Sequence, residues 1–300
     1  MLQTITAWGY FAAWRILRWL PEGFVYSVAY RISDLLTKRN GPNVVRFRSN
    51  LARTQPNITA LDLDLLVYKA MRSMVRYWCD TFRFPDWSKA RIASTVTTTH
   101  EHLLLDAIAA GNGAIVTLPH VGNYDHAAAY FCGKGAKIVT VAERLKPEAL
   151  FKKFMAYRAA FGMEALPLDG RVIPTLALRL RAGCVVALAA DRDLSRSGID
   201  VNFFGAPARM PAGPAILAIK TGAPLIYVMV SYTEEGIHID FEMVPLSTIE
   251  DESKRVAAIV QNSADLFAKG IAAHPEDWHM MQRIWIDGDF KERSKCSKKN

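Results

Sequence analysis

The sequence predicts an α/β protein: a mostly parallel central sheet covered by helices on both faces, with an N-terminal helical module at a membrane interface. Three observations carry this expectation. From about Val96 onward, short apolar runs of strand length alternate with helical patterns, the signature of a parallel sheet buried on both sides. The residues before Val96 show only helical periodicity and are rich in aromatics. Positive charge collects at the two ends of the chain: residues 1–53 net +6 and residues 291–300 net +4, leaving the middle at −2 of the overall +8.

Taken in order, the stretch Leu2–Leu20 holds Trp8, Tyr10, Phe11, Trp14, Ile16, Leu17 and Trp19. On a helix, Arg15 and Arg18 fall in one narrow sector of an otherwise apolar surface. The uncharged run is too short to cross about 30 Å of hydrocarbon, so the segment is expected to lie in the interface with its arginines snorkelling. Packing on the protein's own core is the competing account. Pro21 closes the segment. Helical pattern resumes at Phe24–Leu36, breaks at the Asn40-Gly41-Pro42 turn, and continues at Val44–Ala52 and Leu61–Trp87.

Strands are expected at Ala114–Leu118, Lys137–Ala142, Glu164–Leu168, Val185–Ala190, Leu225–Tyr232 and Ile237–Val244. Helices fit between them at Leu103–Ala110, Asp125–Cys132, Pro147–Phe161, Val172–Ala182 and Gly213–Thr221, with a closing helix at Asp251–Gly270. The last two strands are expected to pair antiparallel through a hairpin loop, Thr233 to Gly236. The organisation is then a helical module over 1–95, an α/β core over 96–290 and a basic tail over 291–300, integrated as one domain.

Composition excludes several classes. Half of the residues are hydrophobic and 22% are charged, so the chain is globular. No basic face interleaved with aromatics crosses the fold, which argues against nucleic acid. Basic ends beside an aromatic helix suit an anionic membrane surface, although a solvated basic tail is also common. The four cysteines are widely spaced without a C-x-x-C pair, against a zinc site or disulfide framework and in keeping with a reducing compartment. Nothing resembles a signal peptide. Signatures of serine hydrolases, phosphate-cradling loops and zinc peptidases are absent. The His100-Glu101-His102 cluster lacks a third ligand nearby and reads as a helix-capping surface turn. No metal and no cofactor are expected.

One stretch concentrates chemistry: the apolar run Ala114–Leu118, then Pro119-His120-Val121-Gly122-Asn123-Tyr124-Asp125. A strand that delivers a histidine past its carboxyl end is how α/β enzymes expose reacting groups. An imidazole near neutral pKa can take the proton of an attacking hydroxyl, and a carboxylate on its other ring nitrogen fixes the tautomer. On this reading His120 is a general base and Asp125 its orienting partner. No serine accompanies them, so the nucleophile must come from the substrate.

H-x-x-x-x-D at this place resembles the signature of the glycerophospholipid and lysophospholipid acyltransferase superfamily. Downstream, Asp191-Arg192-Asp193, Val201 to Gly205, Pro211 to Ala218 and Thr221 to Pro224 resemble the branch that includes the lipid A late acyltransferases. Within that branch the His120–Asp125 stretch, the Val141 to Pro147 block and the tryptophan-rich N-terminus are most similar to the actinobacterial phosphatidylinositol mannoside acyltransferases. The resemblance covers nearly the whole chain.

It implies transfer of a long-chain acyl group, typically palmitoyl, from acyl-CoA as co-substrate to the 6-hydroxyl of the mannose on C2 of inositol. The enzyme would be peripheral, at the cytoplasmic face of the cell membrane. Carried to this sequence, Glu143 and Arg158 line the site, and an acidic residue of the Asp191–Asp193 block holds the sugar hydroxyls. Carboxylates suit neutral sugar hydroxyls as charge-assisted acceptors. Arg144, Lys146, Arg158 or Arg192 would meet donor phosphates or the phosphoinositol; a solvated helix face accounts for each of these at least as well. Oxyanion donors are expected near the Gly122 turn or at Phe204-Gly205. The alternatives are a lipid A-type acceptor with an acyl-carrier-protein or CoA donor, and a lipid-binding scaffold without chemistry.

Overall fold

The computed structural model describes residues 14–144, 147–168, 172–193, 195, 197 and 198–287. Most of the expected Leu2–Leu20 helix, together with Lys146 and the basic tail, lies outside the described residues; residues 14–19 are helical. Helix α1 (Glu22–Arg39) starts behind Pro21 and ends where Asn40 turns left-handed at φ 48°. Gly41 and Pro42 then start α2 (Pro42–Thr54), the proline in the first turn where a missing N–H costs nothing. Thr59 caps α3 (Ala60–Arg83) by accepting from the Asp62 N–H. A 3₁₀ turn (Phe84–Asp86) and the short α4 (Lys89–Ser94) lead into the sheet.

The rest alternates: β1 (Val96–Thr99), α5 (His102–Ala109), β2 (Ala114–Leu118), α6 (Tyr124–Gly133), β3 (Ile138–Ala142), α7 (Glu148–Ala160), β4 (Glu164–Pro167), α8 (Val172–Arg181) and β5 (Val185–Ala189). A hairpin, β6 (Ile199–Phe203) with β7 (Ala206–Met210), precedes α9 (Gly213–Thr221), β8 (Leu225–Tyr232), β9 (Ile237–Met243) and α10 (Glu252–Ala273). Seven strands form one sheet in the order β1-β9-β8-β2-β5-β3-β4. The pairs from β8 to β4 are parallel, β9 is antiparallel to β8, and β1 is parallel to β9.

This is the expected mixed α/β architecture with a mostly parallel sheet, and the β8–β9 hairpin closes as anticipated, Thr233 N–H donating to the Gly236 carbonyl. Three strands fall outside the expected set. β1 is one valine followed by three threonines at a sheet edge, and the β6–β7 hairpin carries Asp200, Asn202, Pro207 and Arg209. None makes an apolar run like that of β2 or β5.

Central strand β2 is buried at all five residues. Because side chains alternate across a strand, both faces of the sheet are covered there. The main core joins sheet residues such as Ile115, Val186 and Ile226 to Phe47, Leu51, Ala70 and Met71 of α2 and α3, so the N-terminal helices share one core with the sheet. The outward side of α1 instead shows Phe24, Val28, Ile32 and Leu35 to solvent, a stripe at helical spacing. Among the described residues no helix is long and apolar enough to cross a membrane.

Candidate active site

The chain leaves β2 toward β3 on one side, and β8 later joins it on the other, so the carboxyl end of β2 is a topological switch point, where open α/β sheets bind ligands. Parallel register pairs Leu118 of β2 with Ala189 of β5, and the Ala190 N–H donates to the Leu118 carbonyl. Two residues beyond each strand end stand His120 and Asp191. The register alone sets them face to face.

His120 Nδ1 lies 2.5 Å from Asp191 Oδ1, and the His120 backbone N–H donates to Oδ2 at 3.0 Å. Trp278 Nε1–H donates to the same Oδ2 at 2.9 Å. A carboxylate can only accept, so the imidazole proton sits on Nδ1 and the lone pair on Nε2, the arrangement a proton acceptor needs. Asp191 is fully buried, while the His120 side chain keeps 36% of its surface open. Burial pulls the His120 pKa down, but the charge and hydrogen bond of Asp191 outweigh it and hold it above the ordinary value. Burial likewise opposes ionisation of Asp191, and here too the His120 partner wins, holding the carboxyl below its usual range.

Asp125 has a different place from the one expected. Gly122 (φ 50°) turns the chain sharply, and Asn123 caps α6 by accepting from the His126 N–H at 3.0 Å. Asp125 therefore enters the first turn of α6 and points at α7 and α3. Its carboxylate takes Arg158 Nε–H at 3.0 Å and the Tyr77 hydroxyl at 3.2 Å. Asp125 is an ion-pair partner of Arg158, and the orienting contact to His120 belongs to Asp191. Burial weakens the Arg158 cation, but Asp125 more than compensates and its pKa stands above the ordinary value.

The other expected residues divide. Glu143, just past β3, raises the His120 pKa through space, and Arg192 lowers it, so both stand near the imidazole. Arg144 is well exposed and pairs with Glu148 at 3.7 Å. Asp193 is folded into its own loop, its Oδ1 accepting from Ser195 N–H and its N–H donating to the Arg209 carbonyl. Of the two aspartates in that block, Asp191 is the one at the histidine, with both oxygens engaged. The Gly122 N–H donates to the Asp277 carbonyl at 2.9 Å, which takes it out of the set of oxyanion donors.

Sequence reasoning missed the strap that closes the site. Val121 bridges Trp278, and His279 N–H donates to the His120 carbonyl at 2.9 Å. Ser73 Oγ–H donates to Asp277 Oδ1 at 2.6 Å and lies 2.9 Å from His279 Nε2. Burial, reinforced by the charge of His120, lowers the His279 pKa to about 3.

The bacterial lipid A biosynthesis acyltransferase family matches residues 1–286. The chain belongs to this family. It is an acyltransferase, and its similarity to named relatives extends over nearly its full length. It is 41% identical over 289 residues to a phosphatidylinositol mannoside acyltransferase of Mycobacterium tuberculosis, covering 95% of this chain and 90% of that protein. A Mycolicibacterium smegmatis protein of the same name is 40% identical over 292 residues, covering 96% and 94%. An acyltransferase can use such a geometry: a histidine oriented through Nδ1 by a buried carboxylate, its Nε2 without a hydrogen-bond partner among the described residues.

Proposed function

We propose that this acyltransferase moves a long-chain acyl group, palmitoyl, from acyl-CoA to the 6-hydroxyl of the mannose on C2 of inositol in phosphatidylinositol mono- or dimannoside. The observation that carries the chemistry is the His120–Asp191 pair, with Nδ1 engaged and Nε2 left as the base. The acceptor rests on the names of the relatives that share nearly the whole chain.

Nε2 takes the proton of the sugar hydroxyl as its oxygen bonds to the thioester carbonyl carbon. The tetrahedral intermediate collapses, the C–S bond breaks, and the imidazolium returns its proton to the thiolate, releasing CoA and the ester. Asp191 stays ionised throughout and steadies the imidazolium. Glu143 adds negative potential near the imidazolium and accepts from sugar hydroxyls. Arg192 offers a cation to phosphate on the donor or acceptor.

The enzyme works as a peripheral protein on the cytoplasmic face of the membrane. The solvent-facing stripe Phe24, Val28, Ile32 and Leu35 supports this. One assay tests both parts: purified enzyme, palmitoyl-CoA, and the mannosylated acceptor in anionic vesicles. Ester formation is expected, and Ile32→Asp with Leu35→Asp should reduce vesicle binding and turnover together. No transfer to this acceptor, alongside transfer to a lipid A precursor, would replace the acceptor. Unchanged vesicle binding in the double variant would sink the interfacial role of α1.

A further inference from the structure

Helix α3 presents four polar side chains at helical spacing on one face: Ser73, Arg76, Tyr77 and Asp80. Each grips a different part of the site's frame. Ser73 holds Asp277, Tyr77 holds Asp125, and Arg76 donates to the Thr233 and Gly236 carbonyls at 2.8 and 3.3 Å while lying over the Tyr232 ring. Asp80 is the fourth and is buried. Its carboxylate accepts from the Tyr26 hydroxyl of α1, from Tyr232 Oη–H of β8 at 3.1 Å, and from Asn123 Nδ2–H at 3.2 Å.

The last of these contacts reaches the turn between His120 and Asp125. Asn123 Oδ1 is already committed to the His126 N–H at the start of α6. Its Nδ2 must therefore face an acceptor, and Asp80 is that acceptor. An aspartate would cap α6 equally well, but its carboxylate could not also donate to Asp80. We propose that Asp80 is a positioning residue, acting through Asn123 to fix the turn that aims His120 at Asp191 and Asp125 at Arg158.

Tolerance for movement at this turn is small. The His120–Asp191 contact joins two loops beyond strand ends, and a shift of the turn by a fraction of an ångström lengthens it. Reacting groups lose about 10²-fold in rate for about 1 Å of misplacement. Burying a carboxylate is costly unless its lone pairs are filled, and burial, set against those three donors and nearby Arg76, still leaves Asp80 with a raised pKa. That cost is sensible at a place that must hold still.

The test uses Asp80→Asn, Asn123→Asp and the double variant in the full chain, with two readouts. One is acyl transfer under the assay above; the other is the His120 pKa by histidine NMR, which needs no substrate and stands apart from the choice of acceptor. Asn123→Asp sets two carboxylates against each other and should lower kcat at least about tenfold, with little change in donor KM. Asp80→Asn should act similarly, with the His120 pKa falling toward its ordinary value. In the double variant the pair is reversed, the amide on α3 now donating to a carboxylate in the turn, and both readouts should partly recover. If Asp80→Asn does not fold, the comparison of the double variant with Asn123→Asp still decides, because adding the second change must then raise activity. A folded Asp80→Asn with unchanged kcat and His120 pKa overturns the proposal. So does a double variant that is no better than Asn123→Asp alone.

Discussion

At the scale of single residues, two aspartates with different neighbours predict two different kinds of damage. Asp191→Asn removes the carboxylate behind His120 and leaves an amide NH₂ facing either the imidazole Nδ1–H or both the His120 backbone N–H and the Trp278 N–H. Acyl transfer should fall at least about 10²-fold, as it should for His120→Ala, and NMR should show a lower His120 pKa. Asp125→Asn leaves that pair alone but strips the counter-ion from buried Arg158. Its cost should appear in denaturant melts, at about 3–5 kcal/mol, the scale for breaking a buried ion pair, with the His120 pKa unmoved. A shifted pKa in Asp125→Asn, or an unshifted one in Asp191→Asn, would reverse the assignment. His120 was legible from sequence because a strand, a proline and a turn announced it. Its partner was not, since 71 residues separate the two and only strand order makes them neighbours. The available signal was symmetry: a polar group two residues past an apolar strand occurs twice.

At the scale of elements, the turn between β2 and α6 is the most constrained piece of backbone in the site. Gly122 sits at φ 50°, and a Cβ there would collide with the Val230 carbonyl oxygen of β8. Gly122→Ala should therefore lower stability and uncouple His120 from the sheet, read as a reduced melting temperature and a loss of transfer that saturating donor does not restore. Wild-type melting and turnover would show that β8 yields to the extra carbon. The apolar strands could be read from sequence because burial on both faces demands unbroken hydrophobic runs, as in Val185–Ala189. β1 could not, because an edge strand half open to water can be built from threonines. Helix α3 was legible as a helix, whereas the targets of its polar face were invisible, since Asp80 and Tyr232 lie 152 residues apart.

At the scale of the whole molecule, the histidines set how stability responds to acid. Burial lowers the pKa of His126, packed between Phe84 and Trp87 with Nε2 3.2 Å from the Ile92 carbonyl, to about 4. His279 behaves likewise. An unfolded chain takes up these protons near pH 6.5 while the folded one refuses them, so stability falls as pH drops from about 6.5 toward 4. His120, with its raised pKa, stabilises most below pH 6.5 and loses that contribution as pH rises through its folded value. The raised carboxyls of Asp80 and Asp277 gain stability on acidification and partly offset the loss. Comparing His126→Gln with wild type isolates one group: between pH 4.5 and 6 the slope of unfolding free energy against pH should be shallower in the variant by up to about 1.4 kcal/mol per unit. Parallel slopes would show that His126 is charged in the fold.

The Trp278 strap bears on synthesis. A ribosome makes His120 first, Asp191 later and Trp278 last, and the indole reaches back across 87 residues to the carboxylate it steadies. Asn50, near the beginning, donates to the Met280 and Gln282 carbonyls, so early and late segments are fastened to each other. A nascent chain can complete its strands without possessing a finished catalytic centre. The contacts of Trp278 and His279 with the His120–Asp191 pair can form only once residues 277–282 have been made, after every strand of the sheet.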